Sequence, residues 1–242
     1  MARTFEALKR AEEQKELRVR EFSPDSNGFG KRKITPQAVS QLHQLKYNLL
    51  AINSGNKIRA VLFSSCTEGE GTSTVLVNFA SALASNGDRV LLVDANLRSP
   101  SLHSALRVGM DNGLTDLLLG TCTLSQAIRE TGIPNILVIP SGTPHPNPIN
   151  VLESEILDSQ IKEMKGLADW VLFDSPPISH HMDSVVLAPR VDGVVMVVEA
   201  EKTRWEVAES SRQRIIGGNG KVLGVILNKR RYHVPGWLYK RL

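Results

Sequence analysis

The 242-residue chain has few cysteines, few aromatics and no long hydrophobic run. Its two cysteines, Cys66 and Cys122, form neither a C-x-x-C nor a metal-ligand spacing, so neither a disulfide framework nor a zinc site is supported. Both are expected to be ordinary buried thiols. The longest apolar runs are strand-sized, as at 194–198, and the N terminus is charged, so neither a membrane span nor a signal peptide is expected. These absences point to a soluble, cytoplasmic protein. Charge of one sign is also not in large excess. The 29 Lys and Arg against 25 Asp and Glu give a formal charge of +4, with the basic residues gathered at the two ends. Without a dense basic stripe or a groove-reading helix, nucleic-acid binding is not expected.

What is present is enough apolar sequence for one core, since 41% of residues are hydrophobic and 22% charged. Residues 1–23 favour a charged helix, solvated or docked on a partner, because only Phe5, Leu8 and Leu17 mark an apolar stripe. Turn formers at 24–30 then indicate a linker over 24–35. A folded domain is expected over 36–228, opening with a helix at 36–53 whose Val39, Leu42, Leu45 and Leu49 form one ridge. Strands are predicted at 58–65, 89–94, 136–140, 170–174, 193–199 and 221–228. Helices at about 72–86, 150–166 and 203–216 supply the crossovers. The runs at 89–94 and 222–228 are apolar almost throughout, which predicts burial on both faces of a mainly parallel sheet.

Such a sheet binds ligands at the carboxyl ends of its strands. After the first strand, Cys66-Thr-Glu-Gly69-Glu70-Gly71-Thr72-Ser73-Thr74 runs into a helix marked by Val75, Leu76, Phe79 and Leu83. In the phosphate loop G-x-x-x-x-G-K-[ST], backbone amides close on phosphates, a lysine neutralises them and a hydroxyl ligates Mg²⁺. Here Gly71, Thr72 and Ser73 fill the last three places and Cys66 the first, so two of the four fixed positions fail. A helix N terminus beside small residues still favours an anion; the competing reading is an ordinary turn. Removing a comparable charge stabiliser costs about 2.7–4 kcal/mol in a transition state, so binding survives this loss better than turnover.

Asp94 and Asp174 each end an apolar run, where a carboxylate is costly unless it meets a cation or hydrogen-bond donors. Mg²⁺ needs only one or two carboxylates besides phosphates and water, and Ser73, Asp94 and Asp174 would supply that set. Either aspartate alone reads equally well as a turn or cap residue; their joint register with the glycine loop favours the metal. Arg98 either holds a phosphate or forms a surface ion pair. His180 and His181 read as loop residues. The stretch 142–150, with three prolines, is a wall of the site, a partner contact or a rigid connection, and Asn150 is placed to cap the next helix. The tail at 229–242 combines five basic residues with three aromatics and no acid. It suits an anionic membrane surface or an acidic partner, or is simply a frayed terminus.

With the glycine loop, Val-Asp94-Ala-Asn96-Leu-Arg98-Ser-Pro100, Phe-Asp174-Ser-Pro-Pro177 and Gly224-Val-Ile-Leu-Asn228 in this order, the chain resembles the bacterial tyrosine kinases (BY-kinases) of capsule and exopolysaccharide assembly. Those belong with the MinD/ParA-like deviant P-loop ATPases. The resemblance covers roughly 36–230 as a set of motifs. It implies a P-loop NTPase-like, three-layer α/β fold with a mainly parallel central sheet flanked by helices. It also implies Mg²⁺-ATP as cofactor, a membrane adaptor of the polysaccharide co-polymerase type as a separate chain, and trans-phosphorylation of a tyrosine-rich tail within a ring. The implied nucleotide-binding positions are Gly69 to Thr74, Arg98 and Asn228, the metal positions Ser73, Asp94 and Asp174, and the catalytic positions Asp94 and Thr72.

The chain departs from the family at Thr72, which replaces the Walker lysine, and at Thr67, which replaces the MinD-like signature lysine. Asn96 replaces the second carboxylate of Asp-x-Asp. The helical Glu-x-x-Arg-x-x-Arg oligomer motif falls on Ser40, His43 and Lys46, and the tail keeps only Tyr232 and Tyr239. The expectation is a BY-kinase-like cytoplasmic protein, peripheral at the inner membrane through its partner, with kinase activity weak or lost. An active autokinase and a non-catalytic adaptor or positioning factor stand as alternatives.

Overall fold

The computed structural model describes residues 36–52 and 58–230. The expected N-terminal helix, the linker and most of the tail, with Tyr232 and Tyr239, lie outside the described residues. The apolar runs become the strands β1 (Ala60–Ser65), β2 (Val90–Asp94), β4 (Ile136–Ile139), β5 (Trp170–Asp174), β6 (Gly193–Glu199) and β7 (Val222–Asn228). A two-residue β3 (Arg129–Glu130) completes one sheet of order β3-β4-β2-β5-β1-β6-β7, parallel except where β3 meets β4.

Alternation along the central strands divides the core in two. Leu62, Leu91, Val93, Val171, Phe173 and Met196 face one side, while Val61, Phe63, Leu92, Leu172, Val195 and Val197 face the other. The second side is covered by α1 (Pro36–Ala51) and α2 (Thr72–Ser85). Leu49 of α1 is fully buried, with Leu42 and Leu45 beside it, as the predicted ridge requires. Phe79 of α2 packs its ring 5.8 Å from Phe63 and 6.1 Å from Trp170; its removal would cost about 3–5 kcal/mol. The first side carries short helices α4 (Leu114–Leu118), α5 (Leu124–Ala127), α6 (Pro148–Leu152) and α8 (Asp183–Leu187), together with α7 (Leu157–Leu167) and α9 (Trp205–Gly217). Helix α3 (Leu102–Leu106) follows β2.

Four expectations change. The single helix at 150–166 is two helices. The break at Glu153 and Ser154 is held because the Ser154 hydroxyl donates to the Leu118 carbonyl and the Arg190 guanidinium donates to the two freed carbonyls. Helix α6 starts at Pro148, where a missing N–H costs nothing, and Asn147 rather than Asn150 is its cap residue. Strand β7 is an edge strand and not buried on both faces: Val225 is 56% and Leu227 58% exposed. Cys66 is buried as expected, but Cys122 is only half-buried. Among the described residues, no helix is long and apolar enough to cross a membrane.

Candidate nucleotide site

The glycine loop leaves β1 and turns into α2 at the carboxyl edge of the sheet. Gly69 and Gly71 adopt left-handed backbone, with φ of 76° and 91°. Gly71 is also pressed against β7: a Cβ there would lie 2.6 Å from Asn228 Nδ2, so only glycine fits. From Gly71 the helix begins, with Val75 N donating to the Gly71 carbonyl at 3.0 Å. The amides of Thr72, Ser73 and Thr74 therefore have no carbonyl of their own helix to bond.

A cleft of about 390 Å³ opens over this turn, lined by residues 68–74 and by Asn96, Arg98, Ser99, Ser101, Asp174 and His181. Thus Gly69, Glu70, Gly71, Thr72, Ser73, Thr74, Arg98 and Asp174 meet at one site. Two sequence-predicted residues do not line it. Asn228 donates its amide to the Glu70 carbonyl at 2.7 Å and so braces the loop. Asp94 lies behind the cleft as the cap of α3: one carboxylate oxygen accepts from the amides of Ser101 (3.0 Å) and Leu102 (2.9 Å), the other from Asn96 N. The cap reading of Asp94 is therefore correct as to its contacts.

Asp174 is different. Its Oδ2 accepts the Ser73 hydroxyl at 2.5 Å, but its Oδ1 is buried without a hydrogen-bond partner. Asp174 is 1% exposed, and an unsatisfied oxygen at such depth is expensive. Burial, and then the neighbouring charge of Asp94, raise its carboxyl well above the usual range; burial raises Asp94 despite its amide bonds. The Ser101 hydroxyl, which no motif indicated, donates to Ser73 Oγ at 3.0 Å. Asp174, with its orphaned oxygen, thus lines the cleft together with Ser73 and Ser101, and Asp94 is its register partner on β2, an oxygen-rich donor set suited to a hard divalent cation. Asn96 contributes less than its position suggests, because its Oδ1 accepts the Ser99 amide.

The Glu70 side chain, expected to face nucleotide, turns inward. At 1% exposure it accepts from Cys66 N (2.7 Å), Thr67 N (3.0 Å) and the Thr203 hydroxyl, tying the loop to the start of α9. Burial, opposed by a Ser211 hydrogen bond and assisted by Glu70, pushes the adjacent Cys66 thiol up to about 11. Elsewhere in the cleft lining, Arg98 Nε donates to both carboxylate oxygens of Asp183 at 3.1 Å. Its ion pair is with a fully buried acid rather than on the surface. His181, read as a loop residue, is one, but it lines the cleft.

An AAA domain model matches residues 58–209. The tyrosine-protein kinase CpsD of Streptococcus agalactiae is 33% identical over 199 residues, covering 78% of this chain and 87% of that protein. The chain belongs to the BY-kinase family. The tyrosine-protein kinase YwqD of Bacillus subtilis is similarly close, 32% identical with 79% of this chain and 81% of that protein covered. Among solved structures, the kinase domain of the Escherichia coli tyrosine kinase ETK shares the fold, with a TM-score of 0.78 and 22% identity over 90% of this chain and 89% of that one. The septum site-determining protein MinD of Pyrococcus horikoshii, complexed with Mg-ADP, aligns with a TM-score of 0.61 and 25% identity, covering 76% of each chain. The MinD/ParA-like, P-loop NTPase-type α/β fold is thereby shared, and the curated relatives are kinases of the BY type.

Proposed function

We propose that this chain is a Mg²⁺-ATP-binding protein of capsule or exopolysaccharide synthesis whose tyrosine kinase activity is weak or lost. The observation that carries the reading is the orphaned Oδ1 of Asp174, buried beside Ser73 at the mouth of an intact glycine turn that lacks its lysine. A nucleotide's phosphates would meet the amides of Gly69 to Thr74, and Ser73, Asp94 and Asp174 would hold Mg²⁺ directly or through water. Bound Mg²⁺ would draw charge from the outer phosphates. The chain's own residues shape the turn, through Gly71 and Asn228, and exclude water from the two carboxylates. Thr72 offers a hydroxyl where phosphoryl transfer needs a fixed positive charge.

The domain limits at 36 and 228, a helix before them and a basic tail after them belong to the same reading. So do a cytoplasmic location at the inner membrane and a separate co-polymerase-type adaptor there; the net positive charge of the tail would add attraction to anionic lipid. Self-association finds less support, because His43 and Lys46 of α1 are bonded within the chain to Asn86 and Asp88. An active autokinase is the second reading, favoured by the cation Arg98 in the cleft wall. Calorimetry with Mg²⁺-ATP and a phosphotyrosine assay, on wild type and Thr72→Lys, test the proposal together. Binding without phosphotyrosine in the wild type, and phosphotyrosine in Thr72→Lys, are expected. Strong wild-type phosphotyrosine overturns the loss of activity; absence of wild-type binding overturns the nucleotide site.

A further inference from the structure

The cleft presents acids and hydroxyls, yet a polyphosphate needs positive charge. Among the described residues lining it, Arg98 is the one permanent cation. It enters from the loop after β2 and lines the same cleft as Thr72. Its Nε is occupied by both oxygens of Asp183 at 3.1 Å, which leaves the two Nη groups as the donors available to the cleft. Asp183 is fully buried at the start of α8, and the Arg98 side chain is 30% exposed. The acid therefore grips the guanidinium from behind while part of it reaches solvent.

An ion pair of this kind is a poor source of stability, since desolvating Asp183 costs about what the pairing returns and an apolar pair would serve as well. It is a good source of direction: a guanidinium held at one edge keeps its planar fork pointed one way. We propose that the Arg98–Asp183 pair supplies to bound phosphate the positive charge that Thr72 withholds, with Asp183 as its positioning residue. The charge of the missing lysine would then come from the loop after β2 rather than from the glycine loop. This rests on the nucleotide reading above.

The test is whether the two positions substitute for one another. Arg98→Ala alone strands a buried carboxylate, so Arg98→Ala/Asp183→Asn is the main variant, with folding checked by circular dichroism and melting temperature. Calorimetric titration with Mg²⁺-ATP should show it binding roughly tenfold to a hundredfold more weakly than wild type. Adding Thr72→Lys should restore binding to within about twofold of Thr72→Lys alone. Asp183→Asn by itself, with Arg98 retained, should also weaken binding. Wild-type affinity in Arg98→Ala/Asp183→Asn, or an equal loss with and without Thr72→Lys, overturns the proposal while leaving the nucleotide site standing. Absence of binding in the wild type overturns both.

Discussion

Asp94 and Asp174 are register partners at the ends of β2 and β5, and both carboxylates are buried. Adjacent parallel strands therefore bring two acids to one edge, where the charge of Asp94 adds to the cost of ionising Asp174. Burial pushes Asp94 up to about 6, and burial with the charge of Asp94 pushes Asp174 up to about 8. A divalent cation binds the ionised forms, so its entry displaces protons. Mg²⁺-ATP affinity is expected to rise between about pH 6 and about pH 8 and to fall below that window. Titration in buffers of different ionisation enthalpy reads the released protons; an affinity flat across this range contradicts the assignment.

The same pair sets a stability trend of opposite sign. Folded-state values above the ordinary carboxylate value of about 4 mean that the folded chain holds more protons than the unfolded one, so stability falls as pH rises through the window. Asp174→Asn removes the charge. It should raise the melting temperature of the free protein at pH 8, flatten its pH dependence and reduce Mg²⁺-ATP binding at least tenfold, by about the worth of a charged contact. A variant less stable than wild type at pH 8 would mean that the carboxylate serves the fold.

Gly71→Ala tests the turn. The new Cβ meets Asn228 Nδ2 at 2.6 Å, and φ of 91° strains any other residue. A loss of about 1–3 kcal/mol in chemical denaturation is expected, together with the nucleotide site. Asn228→Ala in the same chain relieves the contact but not the dihedral, so it should recover only part of the stability. Full recovery would show that crowding alone required the glycine.

Glu70 tests the inner tie. Replacing it with Ala leaves the buried amide of Cys66 and the half-buried Thr67 amide and Thr203 hydroxyl without their acceptor, at about 1–3 kcal/mol for an unsatisfied buried group. Amide exchange should speed up at Cys66 and Thr67 first. Unchanged exchange there would mean that the tie is dispensable.

Much of this architecture was legible because parallel strands buried on both faces carry a signal in every residue. The carboxyl-end rule then placed the glycine loop, Asp94 and Asp174 on one edge before any geometry was known. What stayed hidden depended on contacts distant in sequence. Asn228 ends an apolar strand just as Asp174 does, yet it faces the underside of the loop. Glu70 sits between two glycines like a ligand-facing residue, and its inward turn rests on the nearby amides of Cys66 and Thr67 together with Thr203, far along the chain. Arg98 could not be resolved between phosphate and ion pair because its partner, Asp183, looked like any acid opening a short helix. Short helices such as Leu102–Leu106 span too few residues to show a period.

Helix α1 leads to the last prediction. In the family motif, charged side chains on this helix make contacts between subunits; here Lys46 Nζ meets Asp88 at 2.5 Å and His43 Nδ1 accepts the Asn86 amide at 2.8 Å. Both partners lie on the turn between α2 and β2, so the helix is stapled to its own domain with the family's charge pattern absent at Ser40 and His43. An isolated pair of this exposure contributes about 0–1 kcal/mol, so the staple governs side-chain availability more than stability. Sedimentation velocity with Mg²⁺-ATP should show a monomer for the wild type. Ser40→Glu/His43→Arg/Lys46→Arg, which restores the charge pattern and disturbs both bonds, should shift the distribution toward a larger species. A wild type that already forms a closed ring would mean that another surface drives assembly, and the exposed edge of β7, with Val225 and Leu227, would be the first to substitute with charge.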